Sequence, residues 1–410
     1  MKSPLSAGAR LPDRQWNEVR LQTIFRGCKW DIQVGDQCAL ASFPLFLGRD
    51  EWLRLAQWAE GLTAEALAAE RELHSRPDLL NLLGLPRAVT KALRAGHPHR
   101  ASGQAPRVMR FDFHFTTEGW RISEVNADVP GGFVEASGFT ELMAAHYPHA
   151  VAPPNPARAY AEALRRSVAH GALVALVYAT AYTDDGQVME YIARELRAHG
   201  MRTCLLSPEH LRWEGGRATI QCRFAQGTPD LMVRFFPAEW LPDLSSREHW
   251  WGYFNGGETP VSNPGAALLI QSKRFPLTWS ELATPLPTWR ELMPETVAPS
   301  AAHDLESGRW VLKSALGRVG EGVAIPAVSK DKEWRLARKE ARLHPSAWVA
   351  QKRFAAVPLE AEGRSCYPCL GIFTVGGQAC GVYGRLAEKP LIDADARDVA
   401  VLIAETERNR

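Results

Sequence analysis

Apolar and polar residues alternate most strictly at residues 107–126, RVMRFDFHFTTEGWRISEVN. Side chains along a strand point to opposite faces in turn. Phe111, Phe113 and Phe115 therefore share one face, and Arg110, Asp112 and His114 share the other. Thr117-Glu118-Gly119 supplies a turn, and unbroken alternation in the returning strand groups Ile122, Glu124 and Asn126. A closed hairpin then sets Asp112 beside Glu124 and Asn126. Three hard oxygen ligands on rigid backbone, with positions left for water and a phosphate, suit Mg²⁺.

Elsewhere the period changes. Residues 1–105 read as mainly helical: DEWLRLAQWAEGLTAEALAAERELHS carries Leu53, Leu55, Trp58, Leu62 and Leu67 at helical spacing, and Pro77 marks its end. The hairpin and a following helix, FVEASGFTELMAAHY, occupy 106–158 and close on the Pro-rich PHAVAPPNPAR. Residues 159–262 alternate strand and helix (ALVALVYA, GQVMEYIARELRAHG, MRTCLLS, PDLMVRFFP), the pattern of an α/β unit. Its first strand-to-helix loop, ATAYTDDG, is no dinucleotide fingerprint, and Asp184 and Asp185 read there as helix caps. Aromatic-rich FFPAEWL and REHWWGYFNGG follow as a wall or lid. In 263–410, a helix carrying Lys273 and Arg274 precedes a strand, Gly-rich turn and strand at GRWVLKSALGRVGEGVAI. A basic amphipathic helix, a strand at WVAQKRF and two strands around Gly376-Gly377 complete the chain.

Composition narrows the function. A formal net charge of +2 over 410 residues argues against binding nucleic acid through counterion release. No apolar run is long enough to span a membrane, and the N-terminus lacks a secretory pattern. Seven sparse cysteines do not form a disulfide framework. The expectation is a cytoplasmic protein with reduced thiols, including the Cys366-Tyr-Pro-Cys369 pair. His97 and His99 read as solvated loop residues.

Lys313 ends an apolar WVLK stretch, and Gly317, Gly320 and Gly322 follow it. That arrangement is either an ordinary Gly-rich hairpin turn or a backbone cradle for polyphosphate beside a lysine. It is not a Walker A loop. Lys273, Lys313 and Arg385 lie on three elements of one region, and Lys313 and Arg385 sit among apolar neighbours. A buried cation needs an anionic partner, for which nucleotide phosphate qualifies.

Taken together, RFDFHF…SEVNADVPGGFVEAS, DDGQVMEY, VRFFPAEW, LLIQSKRF, VLKSALGRVGEGV and FTVGGQACGVYGR resemble the synthetase domain of the glutathionylspermidine synthase and trypanothione synthetase family. The resemblance covers roughly residues 105–390. It implies a circularly permuted ATP-grasp fold of the mixed α/β (α+β) class, with a Rossmann-like subdomain at 159–262, a nucleotide-binding region at 263–410 and a helical N-terminal region. The acidic motif stands before the lysines, as permutation requires. By position, the resemblance places Mg²⁺ ligands at Asp112, Glu124 and Asn126 and a catalytic arginine at Arg110. It places ATP contacts at Lys273, Lys313 and Arg385, in the lid from Arg318 through Gly320 to Gly322, and in the hinge strand at Gln351, Lys352 and Phe354.

The implied activity is ATP-dependent joining of a small-molecule or peptide carboxylate to an amine through an acyl phosphate, releasing ADP and phosphate. A non-ligating ATP-binding module or a phosphotransferase is the alternative. The chain departs from the family pattern at Val129-Pro130-Gly131-Gly132, where hydroxyl residues handle the acyl substrate, so the resemblance does not extend to glutathione. The N-terminal region is also too short and helical to supply the family's amidase.

Overall fold

In a computed structural model, which describes residues 3–34, 37–96, 105–223, 225–255, 257–317, 320 and 322–405, the alternating stretch becomes the hairpin Val108–Thr116 and Gly119–Asn126. The hairpin forms one side of a six-stranded antiparallel sheet. In space the order is Arg397–Val399, Gln378–Ala387, Arg364–Val375, Val108–Thr116 and Gly119–Asn126, with Leu359–Ala361 pairing the start of Arg364–Val375. Residues far apart in the chain are thus neighbours across one face.

The apolar face of this sheet, including Phe111, Phe113, Ile122, Leu370, Ile372 and Val382, packs in the main core. Against it lies the Arg49–Ser75 helix, which presents Leu55, Ala59, Leu62, Ala66 and Ala69 at intervals of three and four residues. The buried stripe therefore runs through alanines. Leu53, expected on it, is 54% exposed. Alanine lets the long helix lie close to the sheet, and the chain leaves helical geometry just before Pro77.

The α/β unit forms as expected. Val261–Ser262, Leu231–Phe235, Leu173–Tyr178 and Arg202–Leu206 make a parallel sheet in that order. The Thr183–Ala198 helix is its crossover, with Asp184 and Asp185 in the first turn rather than at the N-cap, which is Tyr182. A third sheet, Thr296–Val297, Trp348–Lys352, Trp310–Ser314 and Val323–Ala324, carries the basic helix Asp331–Leu343 through Trp334, Ala337 and Ala341.

Residues 1–105 are mainly helical, as expected, and also contribute short strands: Leu5–Ala7 and Leu45–Gly48 join Ala150–Val151 and Val401–Ala404 in a four-stranded sheet. Strands of two to four residues are too short to display a period. Lys273 and Arg274 are not on a helix but in the turn after Leu268–Gln271, whose C-cap is Ser272. All seven cysteines are free, with Cys366 and Cys369 buried in one strand. No helix among the described residues is long and apolar enough to cross a membrane. His97 and His99 lie outside the described residues.

Candidate active site

The hairpin is not regular, and its irregularity builds the site. Arg110 faces Asn126 and Asp112 faces Glu124, but Phe113 pairs with Ile122, so the register shifts by one residue at Ser123. Such a bulge places two residues opposite one. It returns Ile122 to the apolar face with Phe113, correcting the expectation that it sides with Glu124 and Asn126. It also frees the Ser123 carbonyl, which accepts a 2.9 Å hydrogen bond from Lys313 Nζ. One inserted residue thus serves core and cleft together.

Cross-strand registry extends the polar face. Asp112 neighbours Gly371, which neighbours Tyr383, and Cys369 neighbours Arg385, which neighbours Asp398. Gly371 is a necessary gap, since a Cβ there would lie 2.6 Å from Arg110 Cδ. The Arg110 side chain folds across this gap. Its Nε and Nη2 donate to the two carboxylate oxygens of Asp112 at 2.7 and 2.9 Å, and Nη1 donates to Gly131 O at 2.7 Å. Asn126 Nδ2 donates to Asp112 Oδ2 at 3.2 Å.

The other cations arrive from the region above. Lys273 Nζ is 3.1 Å from Glu124 Oε2 and donates to Gly317 O at 2.6 Å, linking the sheet to the glycine-rich turn. Arg385 donates through Nη2 to Asp393 O at 2.5 Å, while its buried Nε has no hydrogen-bond partner among the described residues. These groups floor a cleft enclosing about 900 Å³ of empty space, whose walls include Val311, Val323, Ile325, Phe354, Tyr367 and Leu391. A cleft with apolar walls and a few converging polar groups is the usual form of a small-ligand site.

Electrostatics give the cleft its character. Burial would raise the Glu124 carboxyl, but Lys273, Lys313 and Arg110 overcome it and hold the group at about 2. Burial lowers Lys313 to about 8, with Glu124 working the other way. Burial, reinforced by Lys313, lowers His114 to about 3, so it is neutral at ordinary pH. Burial opposes the charge on Arg110, yet Asp112 raises its pKa above the usual value. Four cations, Arg110, Lys273, Lys313 and Arg385, therefore meet two carboxylates, Asp112 and Glu124. The floor has an excess of positive charge suited to a polyanion.

Most of the expected residues converge. Asp112, Glu124, Lys273, Lys313, Gly320, Gln351, Lys352, Phe354 and Arg385 line the cleft, and Arg110 and Asn126 flank it through Asp112. Gly322 lies behind the turn against Ser314. Arg318 lies outside the described residues. The Gln351 amide is engaged with Thr296 Oγ1 at 3.1 Å and with Met293 Sδ. Arg274, next to Lys273, is structural: it donates to the carbonyls of Leu82, Pro345 and Trp348 at 2.7, 2.8 and 2.7 Å. The 249–255 stretch does not wall the cleft; Tyr253 and Phe254 are buried in the main core.

Sequence reasoning missed Ser123, because a bulge leaves no pattern of its own, and found no role for His114. His114 lines the cleft, with Nε2 3.0 Å from Ser123 Oγ and its ring centroid 5.2 Å from that of Phe354. No group of three His, Cys, Asp or Glu suited to a metal occurs among the described residues. The set Asp112, Glu124 and Asn126 is two carboxylates and an amide, oxygen donors of the kind a hard cation such as Mg²⁺ takes.

Among solved structures, the chain is similar to a provisionally assigned gamma-glutamylcysteine synthetase from Methylobacillus flagellatus KT, at 13% identity and a TM-score of 0.43, covering 79% of this chain and 82% of that one. It is also similar to the D-cycloserine synthetase DcsG, at 16% identity and a TM-score of 0.29, covering 44% of this chain and 59% of that one. Comparison with curated proteins finds no match. The family model for the glutathionylspermidine synthase preATP-grasp matches residues 28–404, which include the hairpin, the parallel sheet and every cation of the cleft, and the chain belongs to that family.

Proposed function

We propose that this protein is an ATP-dependent ligase that joins a carboxylate to an amine, and that the cleft between the six-stranded sheet and the Trp310–Ser314 sheet holds ATP. The observation that carries the reading is the convergence of Lys273, Lys313 and Arg385, from three separate elements, on one floor with the opposed carboxylates Asp112 and Glu124. Such a floor suits a triphosphate, and the apolar walls around Phe354 and Val311 suit a purine. The acidic motif precedes the lysines in the chain, the order of a circularly permuted ATP-grasp. In that reading 1–105 is an N-terminal region, 106–158 and 263–410 build the ATP-grasp core, and 159–262 is the pre-ATP-grasp subdomain.

Asp112, Glu124 and Asn126 would hold Mg²⁺, which supplies charge neutralisation at the β- and γ-phosphates. Lys273 and Lys313 meet the remaining phosphate charge, and Arg385, whose Nε has no partner among the described residues, adds a directed donor. A substrate carboxylate oxygen attacks the γ-phosphorus, the bond to the bridging oxygen breaks, and ADP leaves. Amine nitrogen then attacks the acyl carbon, phosphate leaves with one former carboxylate oxygen, and the amine loses a proton. Arg110 has five N–H groups, of which three are engaged among the described residues, so two remain for the oxygens that gain charge. Positioning and electrostatics suffice, and no nucleophilic side chain is required.

Product analysis tests the class. ADP and phosphate should form in equal amounts, and only when a suitable acid and amine are both present. AMP would indicate an adenylating enzyme, and ADP formed with a non-carboxylate acceptor a phosphotransferase. A thermal-shift screen of amino acids, peptides and polyamines with a Mg-ATP analogue identifies the pair to use.

A further inference from the structure

Behind Arg110 lies a chain of buried polar contacts that the ligation mechanism does not use. The Arg110 guanidinium lies over the ring of Tyr383, 5.0 Å from its centroid. The Tyr383 hydroxyl donates a 2.6 Å hydrogen bond to Asp398 Oδ1. Asp398 Oδ2 is 3.7 Å from Lys29 Nζ, which also forms an ion pair with Glu135. Lys29, Glu135 and Asp398 are all largely withdrawn from solvent, with side-chain exposures of 15%, 7% and 9%. The chain joins four separate stretches to the catalytic strand: the segment after the Asp13–Phe25 helix, the helix at 133–144, and two strands of the six-stranded sheet.

Two glycines shape it. A Cβ on Gly132, which has φ of +90°, would lie 2.7 Å from the Tyr383 ring, and one on Gly371 would meet Arg110 Cδ at 2.6 Å. Both the ring and the guanidinium thus occupy space that any other residue would take. Three hydrogen bonds fix the guanidinium in its own plane, two to Asp112 and one to Gly131 O. Hydrogen bonds weaken only gradually as a donor leaves the line of its acceptor, so they leave small out-of-plane tilts open. The Tyr383 ring, with the guanidinium over it, closes them, provided the ring itself cannot swing. The hydroxyl bond to Asp398 prevents that swing, and Lys29 holds Asp398.

We propose that Tyr383, tethered by Asp398 and Lys29, is a positioning residue that fixes the tilt of Arg110 toward the transferring phosphoryl group. The proposal rests on the ligase reading given above. Burying a Lys between two carboxylates is costly unless all are paired, and this arrangement gives that cost a purpose: a rigid support for one catalytic side chain. Misplacing such a group by about 1 Å can cost about a hundredfold in rate.

The test uses the full chain with MgADP alone and with MgADP plus aluminium fluoride, which stands in for the phosphoryl group in transfer. In the wild type, aluminium fluoride tightens nucleotide retention. Tyr383→Leu lowers that tightening by about tenfold or more, with binding of MgADP alone unchanged. Tyr383→Phe keeps the ring and its packing, folds as the wild type does, and loses about threefold through the missing tether. In an Arg110→Met background Tyr383→Leu has no further effect, because the brace acts only through the guanidinium. Full tightening in both Tyr383 variants, or an equal loss with and without Arg110, would overturn the proposal. A wild type that binds MgADP yet gains nothing from aluminium fluoride contradicts the ligase reading itself and takes the brace with it.

Discussion

Two arginine–aspartate pairs stand at either end of the same short stretch of chain, and they do opposite things. Arg234 and Asp128 are sealed from solvent, with both side chains at 0% exposure. Arg234 donates to Asp128 Oδ1 at 2.5 Å and to the carbonyls of Asn263, Pro264 and Phe236, and Ala238 N completes Asp128 at 3.1 Å. Four of the five N–H groups of Arg234 are engaged, and no solvent reaches the pair. The pair pins the parallel sheet to the end of the hairpin and leaves nothing for a ligand. Arg110 and Asp112 make an equally good fork, but at a cleft, with two N–H groups of the arginine unengaged among the described residues and the carboxylate facing Glu124 across the ladder. Composition is the same in both pairs. What separates structure from function is whether the pair stands at a cleft with donors to spare or is sealed inside the fold.

That contrast predicts a hierarchy. Arg234→Met strands a fully buried carboxylate and should cost about 3–5 kcal/mol of stability, read as a shift in the urea unfolding midpoint. An unchanged midpoint would break the comparison. Arg110→Met should lower the rate of ADP formation by about 10²–10³ while losing less than half the stability that Arg234→Met loses. If the two variants destabilise equally, Arg110 is as structural as Arg234.

The remaining predictions probe the cleft side alone. Lys313 is held at about 8 by burial, so it is charged below that pH and neutral above it. Phosphate binding needs the charged form. Nucleotide affinity should therefore be steady below pH 8 and fall by up to about tenfold per pH unit above it, as measured by calorimetry. Lys313→Gln should bind more weakly and flatten the profile. A wild-type profile that stays level to pH 10 would contradict the assignment. Gly371→Ala drives a methyl group into the buried Arg110 side chain and should lower activity by about tenfold with a loss of about 1–3 kcal/mol in stability from overpacking. Unchanged kinetics would show that the guanidinium does not need its place over the sheet.

How much of this was legible in the sequence depended on scale. Strict alternation through Phe111, Phe113 and Phe115 revealed the hairpin and its polar face, because the period of two survives for nine residues of strand. Lys313 and Arg385 were conspicuous because a cation in an apolar strand needs a partner. The bulge at Ser123 was not legible, since one extra residue in a ladder alters registry without altering composition, and unbroken alternation therefore puts Ile122 on the wrong face. The strand pairing between Leu45–Gly48 and Val401–Ala404 was hidden for a different reason: it joins segments more than 350 residues apart, each too short to carry a period. The brace of Lys29, Asp398 and Tyr383 was hidden in the same way, assembled from three distant stretches by the fold.

The central claim, that the cleft transfers a phosphoryl group to a carboxylate before amide formation, is tested most directly by oxygen transfer. With an acid and amine found by screening, and the acid's carboxylate labelled with ¹⁸O, mass spectrometry of the released phosphate follows the label. Phosphate carrying one labelled oxygen, formed together with ADP and amide, is the predicted result. Unlabelled phosphate, whose oxygen came from water, or label recovered in AMP would contradict the account.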